Sequence, residues 1–152
     1  MERNRQIVTK ELPSEVIWQE LHAVLAAFES RGYKEAEILF GWAWGNHVYP
    51  TKDWEYFRLP LPEIELRIKQ EEANQNGKLG SDDLYLRQSD LPFEVQFCHE
   101  SDIHIWFESP FPLIDVLTSD WKAKGYAPRE LVKQNEKWTE RQARVVCWCG
   151  RK

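Results

Sequence analysis

Apolar residues at Ile17, Trp18, Leu21, Val24, Leu25 and Phe28 recur at i, i+3, i+4 and i+7, the spacing that lines one face of an α-helix. Pro13-Ser14 supplies a start signal and Gly32 a stop, so a helix is predicted over residues 14–31. His22 flanks the stripe and reads as a boundary residue, because nothing near it in sequence completes a site. In EILFGWAWGN (37–46) the period changes to two: Ile38, Phe40, Trp42 and Trp44 point to one side of a predicted strand, and Gly41, Ala43 and Gly45 to the other. A bare strand face admits close approach of another element, whereas two tryptophans serve either as core or as a stacking platform, which makes Trp42 and Trp44 candidate binding residues.

Three prolines between Pro50 and Pro62 predict an irregular or edge segment. In EIELRIKQEEANQNG, Ile64, Leu66 and Ile68 alternate like a strand, but Glu63/Arg67 and Glu65/Lys69 are helical i, i+4 pairs, and Pro62 with Asn76-Gly77 bounds a helix over 62–76. The loop NGKLGSDD reads as a turn, since it matches neither phosphate-binding glycine motif. Strand-like DLYLRQ, PFEVQFCH and DIHIWFE follow, then a helix over 112–124 stopped by Gly125. A further helix is predicted over 128–140 with Leu131, Val132 and Trp138 inward, and ARVVCWC reads as a final strand. The succession predicts one α+β domain over 1–152, an antiparallel sheet packed against several helices.

The segment FCHESDIHIWFE carries most of the chemistry. Matching the apolar faces Phe93, Val95, Phe97 and Ile103, Ile105, Phe107 predicts a hairpin pairing 99 with 103, 97 with 105 and 95 with 107, around a Glu100-Ser101-Asp102 loop. Glu94 then faces Glu108, Gln96 faces Trp106, and Cys98 faces His104. Opposed carboxylates suit general acid/base work when desolvated, and a thiol beside an imidazole suits nucleophilic work. On a solvated sheet face, the same residues form a polar, aromatic binding surface.

Composition narrows the field. With 25 acidic and 20 basic residues the formal charge is −5, which disfavours phosphate backbones and anionic lipid, so neither nucleic acid nor membrane is the expected partner. No apolar run spans a bilayer and the N-terminus lacks a secretory h-region, which together with only three cysteines predicts a cytoplasmic protein. At 152 residues with 42% hydrophobic content, the chain is expected to fold without disulfide, metal or cofactor.

These features point to a small acidic binding module engaging a protein with a basic surface, such as a neutralising inhibitor of a basic protein. The expected binding residues are Glu94, Gln96, Cys98, His104, Trp106 and Glu108, with Trp42 and Trp44. One alternative is a hydrolase-like enzyme using Glu94, Glu108 and His104. Another is a zinc-stabilised domain drawing on Cys98, His99 or His104, Cys147 and Cys149, although their spacing lacks the paired motifs of known zinc sites.

Overall fold

In the computed structural model, which describes residues 2–51, 53–134 and 137–140, the apolar stripe of the first helix is buried as foreseen. This helix, α1 (Ser14–Ser30), follows a short strand β1 (Arg5–Val8) and places Ile17, Leu21, Val24, Leu25 and Phe28 in the core. The chain continues through β2 (Glu35–Phe40), α2 (Trp42–Val48), β3 (Phe57–Pro60), α3 (Leu61–Ala73), β4 (Leu84–Arg87), β5 (Phe93–Phe97), β6 (Ile103–Phe107), α4 (Pro112–Ala123), β7 (Arg129–Gln134) and β8 (Lys137–Glu140). The chain is an α+β protein, with an antiparallel sheet in the order β3-β2-β4-β5-β6-β1-β7-β8.

The pairings show two interlocked crossovers. β2 lies between β3 and β4, which α3 connects, and β1 lies between β6 and β7, which α4 connects. In each case a helix carries the chain over an inserted strand, a split β-α-β arrangement. Ile38, Phe40, Leu84, Leu86, Val95, Phe97, Ile103, Ile105 and Ile7 project from one face of the sheet. They form a single cluster with Leu21 and Phe28 of α1, Ile64 and Ile68 of α3, and Leu117 and Trp121 of α4. That face is therefore dry and helix-covered.

Two expected elements are replaced. The strand expected to run on to Trp44 stops at Phe40, and WAWGNHV forms α2 instead. Gly41 marks the break: its N–H donates to Asp83 O at 2.8 Å, and a Cβ there would lie 2.8 Å from Asp83 Cβ. Asp83, just before β4, approaches too closely for any side chain at Gly41, so the expectation of close approach at these glycines holds while the strand does not. The helix expected over 128–140 is a hairpin, β7 and β8. β1 has β6 on one side and needs a ladder partner on the other, and pairing Gln6 with Leu131 buries Leu131 there. Arg5 fixes the register through Glu130 at 2.8 Å, and tertiary pairing overrides the local helical pattern. ARVVCWC lies outside the described residues.

Glu20, buried on α1, closes the helical layer. Its carboxylate accepts hydrogen bonds from Trp121 Nε1 at 3.1 Å and Tyr126 Oη at 3.1 Å, and from Lys124 Nζ at 2.8 Å. Glu20→Leu leaves the first two donors buried and unpaired, which should lower the unfolding free energy by about 3 kcal/mol. Urea denaturation with an unchanged slope checks this, and a loss well under about 1 kcal/mol would show the contact to be dispensable.

Candidate functional site

The hairpin forms, but its register differs from expectation by two residues. Phe97 pairs with Ile103, Gln96 with His104, Val95 with Ile105, and Glu94 with Trp106. The loop is His99-Glu100-Ser101, closed by Ser101 N–H to Cys98 O at 3.1 Å and Cys98 N–H to Asp102 O at 2.9 Å. Ser101, not Asp102, takes the left-handed position with φ 64°, and its hydroxyl donates to Gly80 O at 3.0 Å. A slip of two preserves the faces, so Glu94, Gln96, Cys98, His104 and Trp106 still share one side, with Cys98 and His104 diagonal rather than opposite. Glu108 falls one residue beyond β6, where it is exposed and accepts the Glu2 backbone N–H at 2.7 Å. The expected Glu94/Glu108 pair is therefore not formed across the ladder.

This face is opposite the helices, yet its centre is closed to solvent. Glu94 is 2% exposed, while Gln96 and His104 are 0% exposed. Arg3, just before β1, brings its guanidinium to 2.6 Å from Glu94 Oε1, an ion pair whose N–H groups are not aligned as a hydrogen bond. The Tyr56 hydroxyl donates to Glu94 Oε2. The Arg3 guanidinium also lies over the rings of Tyr85 at 4.9 Å and Trp106 at 5.7 Å, and Arg87 covers Tyr56 at 3.6 Å while pairing with Glu37 at 2.6 Å.

The remaining polar groups are bound to one another. Gln96 accepts from Trp106 Nε1 at 2.7 Å and donates to Asp83 Oδ1 at 3.1 Å. His104 lies between Gln6 Oε1, 2.7 Å from Nδ1, and Asp102 Oδ1, 3.0 Å from Nε2. Its ring stacks on Trp106, which meets Trp138 edge-on at 5.6 Å. Burial pushes the Tyr85 hydroxyl pKa up to about 12, reinforced by the Asp83 charge. It pushes Tyr56 higher still, with the Glu94 charge and hydrogen bond adding to the effect.

Trp44 does not join this face. It is a fully buried core residue of α2, edge-on to Phe40 at 4.9 Å, with Nε1 donating to Asp83 O at 2.8 Å. The side chain of Trp42 lies outside what the structure describes. Sequence reasoning missed Arg3, Gln6, Tyr56, Tyr85, Asp83 and Asp102, which complete the cluster from four separate segments. Of these, Asp83 and Tyr85 sit on DLYLRQ and Asp102 on DIHIWFE, segments whose alternation points them to this face. A recess of about 180 Å³ lies at one end of β1 and β6, between Glu2, Asn4, Arg5, Phe107 and Glu108, well below the volume of a typical small-molecule site.

Cys98 is disulfide-bonded, against the expectation of a disulfide-free fold, and its partner cysteine lies outside the described residues. Two sets of ligand-type atoms surround its sulfur, Asp83/Cys98/His99 and Cys98/Asp102/His104, each within 4.8 Å of one another. In the first set His99 Nδ1 is 3.0 Å from Asp83 Oδ1. Compared with known protein families, curated proteins and solved structures, the chain matches none.

Stability should report the closed face at alkaline pH. An unfolded tyrosine ionises near pH 10, whereas folded Tyr85 stays protonated up to about 12. The unfolded state therefore releases its proton first, and stability that is whole below about pH 10 is lost as the pH rises towards about 12. The expected result is a falling urea midpoint across that window, shallower for Tyr56→Phe with Tyr85→Phe. An equally steep fall in the double variant would place the effect elsewhere.

Proposed function

We propose that the protein is a small acidic binding module that engages a partner with a basic surface. The observation carrying this reading is the distribution of charge. Arg141, Arg144, Arg151 and Lys152 put four positive charges and no acid into the last twelve residues, so residues 1–140 carry −9 against −5 for the whole chain (−5 minus +4). Glu11, Glu15, Glu29, Glu63 and Glu100 are exposed in this acidic body. Such a field raises the encounter rate with a cationic protein and opposes nucleic acid.

The binding residues of this reading differ from those the hairpin first suggested. Glu94 pairs with Arg3 and is closed off, so it supports the fold, and Glu11, Glu15, Glu29 and Glu63 are the exposed carboxylates offered to a partner. The hydrolase alternative draws less support, because Trp106 rather than Glu108 stands across from Glu94. A neutralising inhibitor of a basic protein is the form of module that best suits the charge. No described helix is long and apolar enough to cross a membrane.

Affinity capture on the immobilised chain should retain a basic protein, whose association slows at least about tenfold between about 0.05 M and 0.5 M salt. Reversal of exposed charges, as Glu15→Lys with Glu63→Lys or as Glu100→Lys, should slow association in at least one variant with melting unchanged. Association indifferent to both salt and charge reversal would end this reading, whereas Glu94→Lys should cost about 3–5 kcal/mol of stability whatever the partner.

A further inference from the structure

Three neighbouring strands, β4, β5 and β6, carry Tyr85, Glu94 and Trp106 on the polar face of the sheet, with Glu94 directly across from Trp106. All three side chains are buried, so the ladder and the packing around them fix their positions. The two oxygens of Glu94 are served unequally. Oε2 accepts from the Tyr56 hydroxyl, whereas Oε1 receives no aligned hydrogen bond and has the Arg3 guanidinium 2.6 Å away. A buried carboxylate oxygen with a cation beside it but no donor directed at it calls for an explanation. Arg87 does not supply that donor, because it lies over Tyr56 and pairs with Glu37.

The two rings and the carboxylate form a receptor for a planar cation. The Arg3 guanidinium carbon is 4.9 Å from the centre of the Tyr85 ring and 5.7 Å from that of Trp106. Both distances fall inside the reach of cation–π attraction, about 6 Å. The walls of this cage come from the middle of the sheet, but its occupant does not. Arg3 lies two residues before the first ladder pair of β1, at Arg5, and its side chain is 36% exposed. It can therefore swing out to solvent without breaking a strand pair. We propose that the cage is a docking site for an arginine side chain of a basic partner, held in cis by Arg3 until the partner's arginine replaces it. The proposal rests on the reading of the protein as a module for basic partners and adds the anchor: exposed acids draw the partner in, and the cage takes one side chain. A guanidinium suits the cage better than an ammonium, since it is flat, stacks on aromatic faces and is more weakly hydrated. Arg3 reaches Glu94 from beyond β6, which constrains its approach, while an arginine arriving from outside is free to direct an N–H at Oε1. Exchange leaves the buried carboxylate paired with a cation in both states.

Chemical complementation of the full chain tests this. Arg3→Ala empties the cage and should lower the melting temperature. N-acetyl-arginine amide should then raise it again and shift the Trp106 indole N–H resonance, identified by its loss in Trp106→Phe. Its affinity for this variant should be at least about tenfold higher than for the wild-type chain, where tethered Arg3 competes at an effective concentration in the millimolar range. The citrulline analogue, of the same shape without the charge, should do neither, and the lysine analogue should bind more weakly than arginine. Glu94→Gln added to Arg3→Ala should remove the preference for arginine over citrulline. If Arg3→Ala does not fold, the wild-type chain decides: its Trp106 resonance should move with the arginine amide at high concentration and not with the citrulline one. No binding by the chains that fold, or equal binding of the arginine and citrulline analogues, overturns the proposal. That failure is separable from failure of the wider reading, because salt-sensitive capture of a basic protein would still stand. Complementation without any captured partner ends the wider reading alone and supports the cage as an arginine site.

Discussion

Glu94 carries a charge into the middle of the sheet on the side that no described helix covers, and the molecule has to meet that charge with its own residues. A buried carboxylate without a cation and hydrogen bonds costs several kcal/mol. Arg3 and Tyr56 answer it, and each is in turn held by rings or charges: Arg3 by Tyr85 and Trp106, Tyr56 by Arg87. The N-terminal segment is thus fixed by an electrostatic demand that arises on β5. The sheet is bound by hydrophobic burial on one face and by polar satisfaction on the other.

The strand order makes this possible. Because β1 is inserted between β6 and β7, the residues flanking it reach the centre of the polar face. Gln6 arrives opposite Trp106 and beside His104, and Arg3 lies across from there to Glu94. The same insertion puts Ile7 among the core residues on the other face. Four residues of strand therefore serve both layers, with alternate side chains in each.

What could be read from the chain depended on how local its cause was. The helical stripe from Ile17 to Phe28 and the faces of the FCHESDIHIWFE hairpin came through because period and parity are properties of neighbouring residues. The hairpin register did not, since pairing faces fixes it only to within two residues. Which residue turns the corner depends on Ser101 reaching Gly80, distant in sequence. Trp44 reads as strand from its period-two spacing, and only the crowding of Gly41 by Asp83, distant in sequence, reveals the break that puts it on a helix. β7 looked helical because its pairing with β1 is invisible within its own window. Among candidate site residues, sequence grouped Glu94, Gln96, Cys98, His104 and Trp106 correctly on one face and missed their burial, which comes in part from Arg3 and Tyr56.

The interleaving of strands also orders events in time. Arg5 pairs with Phe107 on one side and Val132 on the other, so both neighbours of the first strand lie more than a hundred residues downstream. At about 5–20 residues per second of synthesis, β1 emerges from the ribosome and waits about 5–20 s before its nearer partner exists. Loop closure of that length is slow relative to local hairpins, so β4, β5 and β6 are free to assemble first and present a vacant edge. The oldest part of the chain is then among the last to be placed.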